Sequence, residues 1–146
     1  MMNKGFVKAV FLLVFLALCV FNAAAQNVQV TIQFTNVVIG GGRIIGGIFF
    51  NADEFRKEEP RISFVIESTG ATVSYVASLP PGEYVISAIQ DSIENGQLDT
   101  GFLGIPRELV AISNYSGRGF PSRNFNSQKI PVNSSTPVIT LGLYKF

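Results

Sequence analysis

Strict alternation in one short segment restricts this chain more than any other feature. Between residues 28 and 34, Val28, Val30, Ile32 and Phe34 are apolar, while Gln29, Thr31 and Gln33 between them are polar. A period of two sends successive side chains to opposite faces of an extended strand, so one face is built for burial and the other for water. A helix with 3.6 residues per turn would scatter the same four apolar groups around its circumference. The segment therefore needs a second β layer to cover it.

The remaining sequence follows the same grammar. Short runs rich in β-branched and aromatic residues occupy 43–51, 61–67, 71–79, 84–89, 129–132 and 138–146, and clusters of Gly, Pro, Asn and Asp separate them. Gly40-Gly41-Gly42 turns the first strand into the second, and Gly46-Gly47 inside the second marks a bulge or a close backbone approach. The spacing of Ser68-Thr69-Gly70 suits a hairpin between 61–67 and 71–79. Leu79-Pro80-Pro81-Gly82 closes the fourth strand, because the prolines donate no ladder hydrogen bond and Gly82 is free to take positive φ. Residues 51–60 read as a wet loop or one short helical turn with Phe55 tucked inward. About seven strands of this spacing predict an all-β, immunoglobulin-like sandwich. Residues 91–126 carry no sustained period and are expected as a long loop region at one end, a length more often functional than idle.

The N-terminus sets an expected compartment. Lys4 and Lys8 precede an apolar run from Ala9 to Phe21, and Asn22-Ala23-Ala24-Ala25 supplies small residues before Gln26. This is the pattern of a signal peptide over 1–25, leaving a single domain over 26–146, secreted to the periplasm or cell surface. The run is shorter than the ~20 residues a membrane-spanning helix needs, so no transmembrane segment is expected in the mature chain. Leu18 precedes Cys19 where lipoprotein processing requires a small residue, so acylation of that thiol is not expected. The mature chain holds neither cysteine nor histidine, which excludes disulfides, thiol chemistry and imidazole catalysis. Nine basic residues then face ten acidic ones with no basic patch, so a nucleic-acid partner is not expected.

The segment ATVSYVASLPPGEYVISAIQD resembles the strand, Leu-Pro-Pro-Gly-x-Tyr and strand of transthyretin-like and carboxypeptidase-regulatory-like sandwiches. Over nearly the whole mature chain the sequence is similar to a family of small secreted bacterial proteins of the domain-of-unknown-function type. That family places G-x-I-x-x-x-L-F before the Pro-Pro-Gly-x-Tyr turn, followed by H-D-x-N-x-N-G-x-L-D, F-L-G-I-P and S-N-N. Residues 42–49, 80–84, 90–99, 102–106 and 113–115 hold these places here, with Phe120, Pro121 and Phe125 behind them. The resemblance implies a transthyretin-like sandwich and a bacterial host, and no particular activity. Gln90, Ile93 and Tyr115 stand where the family has His, Asn and Asn, and each departure removes a polar ligand candidate.

The stretch DSIENGQLD poses one chemical choice. Calcium loops present oxygens at alternate positions around a glycine at the sixth, and Asp91, Asn95, Gly96, the Gln97 carbonyl and Asp99 fit positions one, five, six, seven and nine. Ile93 and Phe102 occupy the third and twelfth positions, so two ligands are missing and only weak Ca²⁺ binding is expected. The competing reading makes Asn95-Gly96 a tight turn in which Asp91 and Asp99 accept backbone hydrogen bonds, while Phe102, Leu103, Ile105 and Pro106 plug the end of the sandwich. That reading is preferred, and no other cofactor is expected.

Asp91, Glu94, Asp99 and Glu108 offer an acid–base pair for glycoside hydrolysis only if two stand at the right separation. Arg107, Asn114, Tyr115, Arg118 and Phe120 form a candidate ligand surface, in which arginines alternate with aromatic rings able to meet a sugar or polyanion. The terminal Tyr144 and Phe146 fit the end of an outer-membrane barrel strand, but the unpatterned 92–126 consumes too much chain for one. The expected function is a non-enzymatic binding or accessory module of the cell envelope, with a glycan or envelope protein as partner. A calcium-stabilised structural domain and a small outer-membrane barrel are the alternatives.

Overall fold

The computed structural model describes residues 26–146; the expected leader, with Cys19, lies outside them. Eight strands form two facing sheets: β1 (Val28–Thr35), β2 (Arg43–Phe49), β3 (Ile62–Glu67), β4 (Val73–Leu79), β5 (Gly82–Asp91), β6 (Leu109–Ile112), β7 (Ile130–Val132) and β8 (Val138–Gly142). One sheet has the order β4-β1-β8, and the other β3-β2-β5-β6, with β7 also paired to β5. The chain is an all-β sandwich, and among the described residues the strands do not close into a cylinder.

The alternation of β1 decides how the layers meet. Val30, Ile32 and Phe34 are completely buried and face Ile44, Ile48 and Ile86 of the other sheet within a single apolar cluster. β1 is the central strand of its sheet, antiparallel to β4 and parallel to β8, so its inward face meets core on every side. Gly46 serves close approach: a Cβ there would lie 2.4 Å from the Phe64 ring, which stacks on Tyr75 at 4.6 Å. The expected close backbone approach is thus present.

Of the two readings of residues 51–60, the short helical one is present, as α1 (Ala52–Lys57). Asn51 Oδ1 caps it by accepting from the Asp53 and Glu54 N–H groups at 3.0 and 2.9 Å, as N-cap residues do. Phe55 turns toward the sheet and meets the Phe49 ring edge-on at 5.3 Å.

Three local expectations are corrected. Residues 68–70 do not close a hairpin, because β3 and β4 belong to different sheets. The two strands both carry apolar faces, and crossing between the layers buries both in the shared core. Gly82 does not use positive φ. Pro80 instead holds the crossing from β4 to β5 through its carbonyl, which accepts from the Tyr84 hydroxyl at 2.6 Å. Finally, 91–126 is not one loop: it contains β6, a 3₁₀ turn at Phe102–Gly104 and a short helix, α2 (Phe125–Gln128).

The pairing of β5 explains why β6 escapes sequence reading. One edge of β5 runs along β2, while the other is shared end to end by two short strands: β7 covers Gly82 to Tyr84 and β6 covers Ser87 to Gln90. Between them Ser113 completes the ladder. Its Oγ accepts from the Ile86 N–H at 3.1 Å and donates to the Gln128 carbonyl at 2.6 Å, and its own N–H donates to the Ile86 carbonyl. A four-residue strand helped by a side chain is too short to carry a period. The last residues then leave β8, and Tyr144 exchanges both backbone hydrogen bonds with Val110 of the opposite sheet. The C-terminus therefore ties the two layers together at their edge.

Candidate functional site

One end of the sandwich gathers the end of β5, the turn before β2, the chain entering β6 and the C-terminal tail. Two buried carboxylates organise it. Asp91, at 0% exposure, accepts from the Asn95 and Gly96 N–H groups at 3.2 and 2.7 Å. Glu108, also buried, accepts from the Ser92 and Asp99 N–H groups at 2.8 and 3.2 Å. Asn95 links the turn internally, donating from Nδ2 to Asp99 and accepting from the Gln97 N–H. Glu94 and Gly96 both sit at positive φ, as the tight reversal demands. The structure thus brings Asp91, Asn95, Gln97 and Asp99 into one turn, but only Asp91 accepts backbone N–H groups as expected; Asp99 takes the Asn95 side-chain amide instead. Among the described residues no three acidic, histidine or cysteine side chains are grouped so as to hold a metal ion.

Gln90 braces the neighbouring turn. Its buried amide accepts from the Val38 N–H at 3.0 Å and donates to the Val38 carbonyl at 2.6 Å, as a strand partner would. Gly42 makes the close packing possible, because a Cβ there would fall 1.9 Å from the Asp91 carbonyl oxygen. The base of this end is consequently closely packed.

A small arm projects from that base. The Arg107 N–H donates to the Asp99 carbonyl, Gly101 to Ile105 and Gly104 to Gly101, and Thr100 bridges Pro106. At its tip Phe102 and Leu103 are 87% and 81% exposed, so the expected plug is absent and the apolar residues point outward. The reason is local. The arm turns back on itself through three backbone hydrogen bonds of its own. Leu103 is held at φ 64, a left-handed conformation that costs a leucine about 1–2 kcal/mol, and the exposed side chain gains little burial in return.

A second surface lies beside it. Phe146 stacks on Phe120 with ring centroids 5.4 Å apart and planes 5° from parallel, and on Tyr115 at 5.8 Å. The three rings make a continuous shelf over a groove of about 250 Å³ that Lys145 also lines. Gly117 lets the Tyr144 ring support Tyr115 from behind, since a Cβ at 117 would meet that ring at 2.4 Å. Burial, with the neighbouring Tyr144, pushes the Tyr115 hydroxyl above its ordinary pKa. Lys145 also borders a second groove of about 230 Å³, together with Val38, Arg107 and Glu108.

The candidate ligand residues therefore divide. Tyr115 and Phe120 join the shelf and Arg107 lines the adjoining groove, whereas Arg118 is exposed and enters no ion pair among the described residues. Asn114 is structural, sitting at φ 58 and donating from Nδ2 to the Lys129 carbonyl. Sequence reasoning missed Lys145 and Phe146 as site residues. Their signal was the aromatic-rich ending, which reads more readily as a final strand.

A model of a bacterial protein family, described as uncharacterized proteins conserved in bacteria (DUF2141), matches residues 25–140. The chain belongs to this family. The match runs from the start of the sandwich through most of β8, so the DUF2141 region takes in the braced turn, the arm and the Tyr115–Phe120 part of the shelf. Searches of curated proteins and of solved structures returned no match. Among the described residues of this DUF2141 protein, no helix is long and apolar enough to cross a membrane.

Proposed function

We propose that this DUF2141 protein is a non-enzymatic binding module of the bacterial cell envelope, exported by its N-terminal leader, and that its ligand surface is the Tyr115–Phe146–Phe120 shelf. The observation that carries the reading is the near-parallel stacking of Phe120 on Phe146, with Phe120 still 69% exposed. Flat rings held rigid by one another present an apolar face at little further entropic cost on binding, the property that makes aromatic residues binding hot spots. Lys145 beside the rings and Arg107 in the adjoining groove add positive charge. A saccharide carrying a carboxylate or phosphate suits such a surface, because its apolar ring face lies on the shelf while its acidic group meets the cations.

The test is a glycan array probed with the chain from Gln26, followed by calorimetry on any glycan retained. Phe120→Ala removes an exposed ring and leaves the core untouched, so it is expected to weaken binding by about tenfold or more while the melting temperature holds. An array without any retained acidic glycan, or a retained glycan indifferent to Phe120→Ala, would refute the assignment.

A further inference from the structure

The tip of the arm at 99–107 does not line the shelf groove, although Arg107 at its foot borders the adjoining one, and its chemistry is different. We infer that it docks the protein on an anionic lipid surface, with Phe102 and Leu103 entering the interface and Arg107 meeting the headgroups. Three observations support a lipid rather than a protein occupant. The apolar tip is small, two side chains exposed by 87% and 81%, whereas a stable protein interface buries about 1,600 Å² of complementary surface. A bilayer accepts a protruding tip without needing a matching pocket. Backbone groups near the tip are also paired within the arm, with Gly101 donating to Ile105 and Gly104 to Gly101. Internal pairing of this kind is what apolar surroundings demand, since unpaired N–H and C=O groups are costly there.

Charge points the same way. From Thr100 to Arg107 the arm contains no carboxylate and ends in an exposed arginine. The nearby acids lie outside it: Glu94 is in the preceding turn, Asp99 is at the base with its side chain held by Asn95, and Glu108 is buried against the Ser92 and Asp99 N–H groups. Leu103 remains in its left-handed conformation while its side chain is displayed to solvent. Interfacial burial would give that display a favourable return.

The experiment uses sedimentation with vesicles of phosphatidylcholine and phosphatidylglycerol in equal parts, beside vesicles of phosphatidylcholine alone. The chain from Gln26 should sediment with the mixed vesicles and much less with the neutral ones. Joint Phe102→Ser and Leu103→Ser substitution should weaken binding by on the order of tenfold or more. The chain has no tryptophan, so Phe102→Trp gives a single reporter whose emission should shift to shorter wavelength on mixed vesicles and be quenched by brominated acyl chains. Failure of the unsubstituted chain to sediment, indifference to the double substitution, or a tryptophan that vesicles neither shift nor quench would each overturn the inference. Capture by a protein with an unshifted tryptophan would overturn it in favour of a protein partner. Glycan binding at the shelf bears on neither result.

Discussion

Replacing Asp91 by Ala separates a braced turn from a metal loop. The carboxylate is wholly buried and accepts two backbone N–H groups, from Asn95 and from Gly96, the latter at 2.7 Å. Hydrogen bonds to a charged group contribute about 1.5–3 kcal/mol each. Residues 95 and 96 are themselves exposed, so water can recover part of the loss on both donors. That lowers the summed cost of about 3–6 kcal/mol to a net of about 2–3 kcal/mol. For a domain of this size each kcal/mol moves the melting temperature by about 3–5 °C, giving an expected drop of roughly 6–15 °C. Asp91→Asn should lose a comparable amount, because its amide accepts one of the two N–H groups while its NH₂ opposes the other. The assay is thermal unfolding with a chelator present and again in millimolar calcium. A brace predicts equal losses in both conditions. A loss confined to the calcium condition, together with stabilisation of the unsubstituted chain by calcium, would refute the reasoning and make the turn a binding loop.

Three further substitutions probe the scaffold. Ser113→Ala leaves the buried Ile86 N–H without its acceptor, so urea unfolding should show a loss of about 1–3 kcal/mol. Gly46→Ala places a methyl group 2.4 Å from the Phe64 ring and 2.7 Å from the Ser87 carbonyl oxygen; overpacking of this kind costs about 1–3 kcal/mol, again read by urea unfolding. Tyr84→Phe removes the hydrogen bond to Pro80 at a cost of about 1 kcal/mol. Burial raises the Tyr84 pKa against an opposing effect of Arg61, so its contribution is complete below the ordinary tyrosine pKa of about 10 and is lost as pH rises through the higher folded value. Urea titrations across that alkaline range should show a steeper decline for the unsubstituted chain than for Tyr84→Phe.

Much of the architecture was legible because burial imposes a period. Val30, Ile32 and Phe34 could be assigned to a covered face from spacing alone. The Asn95-Gly96 reversal and the close approach at Gly46 followed from the conformational and steric freedom of glycine. Strand partnership was not legible. Residues 68–70 look like a hairpin because local spacing cannot distinguish a turn within one sheet from a step between two.

The candidate site divides along the same line. Residue types marked Asp91 as an acceptor of backbone hydrogen bonds and set Tyr115 and Phe120 among the candidate ligand residues, whereas Asp99 accepts from the Asn95 side chain instead. That Gln90 and Glu108 brace backbone from nine to fifty-two positions away depended on where the strands ended. The shelf exists because the tail leaves β8, pairs with Val110 and lays Phe146 against Phe120. The sequence alone dictated a β protein with a buried and a wet face on its strands, since alternation acts over neighbouring residues and burial selects it directly. Which apolar residues stay in water, as Phe102 and Leu103 do, was decided only by the tertiary structure, because their exposure depends on an arm that turns back on itself through the Gly101–Ile105 and Arg107–Asp99 hydrogen bonds.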